Sequence, residues 1–141
     1  MILVISGILA TNARLFHAEW IYLFDTRTVN GGTGNDKSYT LGQSVNGKLG
    51  IVIYPDDYTG ATYSGSDWST FEAAGCVFLP AAGFCASSSV NSVGSEGNYW
   101  TSSSDAASNV HYVQFSSSSL NTTGSVGRDQ GYSVRLVRDV E

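Results

Sequence analysis

The rhythm of apolar and polar positions changes several times along this chain. An apolar, β-branched run, Ile2-Leu3-Val4-Ile5, ends at Gly7 and predicts a strand over 2–6. It also resembles a signal-peptide core, but no basic residue precedes it and it is too short to span a membrane, so the strand reading is preferred. Next, Phe16, Trp20, Leu23 and Phe24 fall at i, i+4, i+7 and i+8. That is one helical face, with Glu19 suited to the first turn, and it predicts a helix over 16–27. Alternation then replaces the helical period. Strands are expected over 38–41, around Val45 and over 49–54, with Asn46-Gly47 as a type I′ hairpin signal. Pro55-Asp56-Asp57 breaks the third of these.

A second short helix is expected over 66–75, with Ser66 as N-cap and Gly75 just past its end. A buried strand over 76–79 follows. Further strands are expected over 97–102, 110–115 and 132–137, joined by polar loops. The pattern predicts an α+β domain: two short helices, a small and mostly antiparallel sheet, and long polar loops.

The segment 83–131 stands apart. Ser, Asn, Thr and Gly crowd it, as in a linker. Yet Val90, Val93, Tyr99, Trp100, Val113, Phe115 and Leu120 recur through it as apolar pins. In the Tyr99-Trp100 pair one side chain faces in and the other out. A fixed scaffold carrying small polar side chains has the chemistry of a recognition surface, because Ser, Gly, Asn and Tyr bind adaptably at low entropic cost.

Composition narrows the function. The chain has 141 residues, enough for one domain, and a net charge of −5. No Lys or Arg lies between Lys48 and Arg128. Phosphate neutralisation needs such residues, so nucleic acid and anionic membrane surfaces are disfavoured as partners. Cys76 and Cys85 fit neither a CxxC nor a zinc pattern, which leaves a disulfide across the 80–83 turn and two separate thiols as alternatives. Asp56-Asp57 with Asp67 and Glu72 lacks EF-hand spacing. His111 with the many serines suggests a triad only by abundance, since no GxSxG elbow is present. Asn121-Thr122-Thr123 matches a glycosylation sequon, a frequent coincidence in such sequence.

Four stretches carry a family resemblance. Residues 12–24, NARLFHAEWIYLF, resemble the helix motif of the bacterial major paralogous domain family (FISUMP). So do 72–83 (EAAGCVFLPAAG), 97–103 (GNYWTSS) and 131–138 (GYSVRLVR). The family is similar to the formylglycine-generating-enzyme branch of C-type-lectin-like folds, which includes the variable proteins of diversity-generating retroelements. The resemblance implies a C-type-lectin-like domain whose C-terminal surface is exchanged while the fold holds.

It further implies a non-catalytic ligand-binding or adhesion module on a bacterial surface, in secreted form or on a phage particle; the alternatives are a structural surface domain of a bacterial envelope protein without diversification and, second, a remnant of a formylglycine-generating-type enzyme. Its partner would be a protein or glycan receptor. Scaffold positions would include Gly97, Tyr99, Trp100, Val113, Phe115, Gly131 and Val134. Ligand-facing positions would be Phe84, Ser87, Glu96, Asn98, Asp105, Tyr112, Gln114, Ser117, Ser119, Asp129, Gln130 and Tyr132. Tyr99, Tyr112 and Tyr132 would supply much of the affinity. Glu96, Gln114 and Gln130 do not arise from pyrimidine-ended Asn codons by adenine exchange. No cofactor is implied: the enzymes' copper-holding cysteine pair has no counterpart, because no cysteine follows Cys85.

Overall fold

Asn46 and Gly47 alone join β1 (Tyr39–Val45) to its antiparallel partner β2 (Lys48–Ile53). Their φ angles are +49° and +73°, as a type I′ turn requires. The structure is a computed structural model and describes residues 27–65, 67–101, 104 and 108–135. The strand expected over 2–6 and the helix expected over 16–27 lie outside the described residues. So do Ser66, Asp105 and the end of the strand expected over 132–137. What is described is a small α+β domain of short antiparallel sheets and one short helix.

The two strand segments expected around 38–45 form one strand, kinked by a bulge between Thr40 and Gln43. Gly42 supplies the bend at φ +67°. β3 (Val77–Pro80) pairs with the other edge of β2, so β2 is central. Its apolar run is unbroken because both faces are buried. Ile51 and Ile53 enter one core while Val52 and Tyr54 enter another.

The second core lies under α1 (Trp68–Ala73). Asp67, rather than Ser66, caps this helix, accepting from the Ser69 amide at 3.1 Å. Its end follows the expectation. Gly75 sits at φ +83°, the Gly75 amide donates to Glu72 O, and the Cys76 amide donates to Phe71 O. This is a Schellman end, with Cys76 and Phe71 in the same core. Trp68 packs edge-on to Tyr63 and Phe78. Arg27, mostly buried, pairs with Asp56 and donates to Tyr54 O at 2.7 Å, so one carboxylate of the Asp pair anchors the turn after β2.

The polar third of the chain forms a hairpin and a second three-stranded sheet. β4 (Phe84–Ala86) pairs with β5 (Ser89–Asn91). β6 (Gly97–Trp100), β7 (Asn109–Phe115) and β8 (Leu120–Gly127) are antiparallel in that order. One face of this sheet packs Tyr99, Val113 and Phe115 against Ile51, Ile53 and Leu79 of the first. Phe115 reaches its place because position 97 is glycine: a Cβ there would lie 2.1 Å from its ring. The Tyr99 hydroxyl donates to Pro80 O at 2.8 Å and joins the two sheets.

Three expectations are corrected. Val90 and Val93 are not pins but are 65% and 67% exposed. Val90 pairs with exposed Cys85 on the outward side of the hairpin. Residues 132–135 form no continuous strand. Gly131 bridges Cys85 and Ser133 bridges Tyr99, so the segment crosses between two partners and builds no ladder with either. Val134, expected in the scaffold, is 47% exposed. The cysteine alternatives resolve as two free thiols, Cys76 buried and Cys85 exposed.

Candidate functional site

Alternation along β6 divides its side chains. Tyr99 points into the core at 4% exposure, so it belongs to the scaffold and not to the affinity surface. Asn98 and Trp100 take the opposite face, beside Gln114 and Tyr112 in register on β7. Residues 131–133 run along the free edge of β6. The Ser133 amide donates to Asn98 O at 2.9 Å, and the Trp100 amide donates to Ser133 O at 3.1 Å. With Ser133 aligned to Tyr99, Tyr132 falls on the outer face with Trp100. Reciprocal 2.8 Å bonds between Cys85 and Gly131 then bring Phe84 beside it.

The result is an aromatic cluster centred on Tyr132. Trp100 stacks on it at 4.5 Å and 30°. Tyr112 meets it edge-on at 5.0 Å and Phe84 at 5.8 Å. All four side chains are only partly buried. Such offset and edge-to-face pairs each add about 0.5–1.5 kcal/mol beyond area burial. Tyr112 lies over Gly124, where a Cβ would come within 2.4 Å of its ring.

Polar groups border the rings. Gln114 Nε2 donates to Glu96 Oε2 across a long 3.4 Å bond. Burial pushes the Tyr132 phenol up, with Tyr112 and Glu96 adding to the shift, so it stays protonated at neutral pH. Asn98 corrects the expectation of an exposed ligand contact: it is 1% exposed, and its Nδ2 is a buried donor without a hydrogen-bond partner. It lies on the cluster's side of the sheet because it alternates with Tyr99 along β6, as Trp100 does.

The expected site residues therefore divide. Phe84, Glu96, Asn98, Tyr112, Gln114 and Tyr132 come together. Ser117 and Ser119 lie in the β7–β8 turn, where Ser119 Oγ bonds Ser116 Oγ. Asp129 and Gln130 lie past the other end of β8 and hydrogen-bond each other at 3.4 Å. Ser87 is exposed at the β4–β5 tip with φ +53°, a strained angle for a non-glycine residue. Asp105 is outside the described residues. Trp100 was expected as scaffold, yet it is a major ring of the surface. The signal that places it there is Tyr99's inward direction, which forces its neighbour out.

An open depression of about 610 Å³ lies elsewhere, lined by Tyr58, Phe71, Ala74 and the 57–61 loop, and contains none of the expected site residues. No group of three His, Cys, Asp or Glu that could hold a metal comes together among the described residues. Burial pushes the Cys76 thiol up to about 12, which keeps it unreactive in the fold. No family model, curated protein or solved structure matches the chain.

Proposed function

We propose that this chain is a non-catalytic binding module with a C-type-lectin-like fold, which displays an exchangeable C-terminal surface to a receptor on another cell. It would work at a bacterial surface, in secreted form or on a phage particle. The observation that carries the reading is the Tyr132 cluster. Four partly exposed aromatic rings, bordered by Glu96 and Gln114, occupy the outer face of a sheet whose inner face is core. Large rigid rings amid adaptable polar side chains are the chemistry of a paratope. The residue pattern shared with the diversified family supplies the rest.

The test is to immobilise the purified chain and screen it against a neutral and acidic glycan panel and a random peptide display library. A selected ligand should bind the wild type and be lost on Glu96→Ala/Gln114→Ala. Failure to retain any ligand, or ligands indifferent to that double change, would leave a structural domain without a receptor. The flanking DNA tests diversification separately: it should hold a reverse transcriptase and a near-repeat of the codons for residues 83–138.

A further inference from the structure

We infer that Asn46 is a site of self-modification by deamidation, with water as the co-reactant. Its carboxamide closes onto the Gly47 amide and hydrolyses to aspartate and isoaspartate, while the fold protects the chain's other Asn-Gly pair, Asn30-Gly31. Glycine favours this closure because no side chain hinders attack by its nitrogen. Both pairs follow a valine: Val29-Asn30-Gly31 and Val45-Asn46-Gly47. Their backbones also match. Asn30 and Gly31 have φ +52° and +74°, and Asn46 and Gly47 have +49° and +73°. Each pair is a two-residue turn, closed by Val29 and Gly32 in one case and by Val45 and Lys48 in the other. Neither glycine N–H is spent on a backbone hydrogen bond among the described residues. A Cβ on either glycine would meet nothing within 4 Å, so both nitrogens are approachable. By local chain alone the two pairs would react alike.

The difference between them is tertiary. The Asn30 carboxamide reaches the 57–61 loop, where its Nδ2 donates to Gly60 O at 2.8 Å. Only the nitrogen end of an amide can meet a carbonyl oxygen, so the partner fixes which way this side chain is turned. Swinging Cγ onto Gly31 N costs that bond. Asn46 carries no such restraint. It is exposed, and its side chain makes no hydrogen bond among the described residues.

The chemistry balances with water alone. Gly47 N attacks Asn46 Cγ, the N–Cγ bond forms, the Cγ–Nδ2 bond breaks, and Nδ2 leaves as ammonia with the amide proton. Water then opens the five-membered ring at either carbonyl. One opening gives aspartate; the other gives isoaspartate, whose main chain runs through Cβ. Both add a negative charge at the tip of the β1–β2 hairpin. Isoaspartate also lengthens the two-residue turn that sets the register of β1 on β2.

The experiment incubates the whole chain in neutral buffer, folded and in urea, and follows tryptic peptides by mass. Cleavage after Arg27, Lys37 and Lys48 puts Asn30 and Asn46 on separate peptides. In the folded chain Asn46 should convert about fivefold faster than Asn30 or more, the rate equivalent of one net hydrogen bond. In urea the two should convert at similar rates, because the Gly60 contact is gone. A more acidic form should grow on ion exchange, be absent in Asn46→Ser and persist in Asn30→Ser. Should either variant fail to fold, the peptide masses of the wild type decide alone. Equal rates in the folded chain overturn the inference, as does an Asn46 that stays intact while the urea sample converts. A ratio that persists in urea assigns the difference to the following residue, Gly32 or Lys48, and overturns the role of the fold.

Discussion

Replacing Tyr132 with alanine should destabilise the fold, although Tyr132 is a candidate ligand contact. The side chain makes three ring contacts, to Trp100, Tyr112 and Phe84, at 4.5, 5.0 and 5.8 Å. Each such pair contributes about 0.5–1.5 kcal/mol. Tyr132 is only partly buried, so the transfer contribution of its ring is smaller than for a core aromatic, on the order of 1 kcal/mol. The pairs share one ring and do not add fully. The expected loss is therefore about 2–4 kcal/mol. At roughly 3 °C per kcal/mol for a chain of this size, the melting temperature should fall by about 6–12 °C.

Tyr132→Phe keeps every ring and should cost under about 1 kcal/mol. Urea unfolding of the Trp100→Ala, Tyr132→Ala and double variants completes a cycle, with an expected coupling of about 0.5–1.5 kcal/mol. A loss under about 0.5 kcal/mol for Tyr132→Ala, or single losses that simply add, would mean that the rings do not pack together in solution. The same logic separates binding from folding. Glu96 and Gln114, held to each other by one long bond, are the positions where a loss of ligand should leave stability nearly unchanged.

Gly83→Ala should cost more than about 3 kcal/mol or prevent folding, because the residue has φ +71° and a Cβ would lie 2.1 Å from Asn91 O; near-normal urea unfolding would refute this. Ser87→Gly should stabilise by up to about 1 kcal/mol, since it relieves a positive φ at the β4–β5 tip, and a drop in melting temperature would count against that strain. Ellman's reagent should titrate Cys85 in the folded protein and Cys76 only after denaturation, given that Cys76 is buried and Cys85 exposed; rapid reaction of both would refute the placement. The folded Cys76 thiol and Tyr99 phenol are each pushed up to about 12 by burial. The unfolded groups release their protons first, near 8.5 and 10, so stability should be full below about pH 8 and fall as pH rises through 9 to 12. Thermal melts across that range check this, and Cys76→Ala should delay the onset; a melting temperature rising with alkalinity would reverse the sign.

Local chemistry was legible in the chain. Asn46-Gly47 specifies its hairpin because few other pairs adopt two positive φ angles. The polar-to-apolar switch at 66–79 locates α1 and β3, and Gly75 marks the helix end. The run at 49–54 marks a buried central strand, and Tyr99-Trp100 shows that one ring faces in and its neighbour out. These follow from backbone sterics and from period-2 alternation, which act over a few residues.

Which polar positions form one surface was decided only by tertiary structure. Phe84, Trp100, Tyr112 and Tyr132 are scattered over 49 positions, 84 to 132, and nothing local joins them. They meet because residues 131–133 cross between the β4 hairpin and the edge of β6, through the Cys85–Gly131 and Tyr99–Ser133 bridges. The same long-range pairing buries Asn98 among its neighbours, leaves Val90 and Val93 in solvent, and sends Ser117, Ser119, Asp129 and Gln130 to opposite ends of β7–β8. Sequence spacing fixes which way a side chain leaves its own strand. Burial depends on what other segments lay across that face, which only the folded pairing supplies.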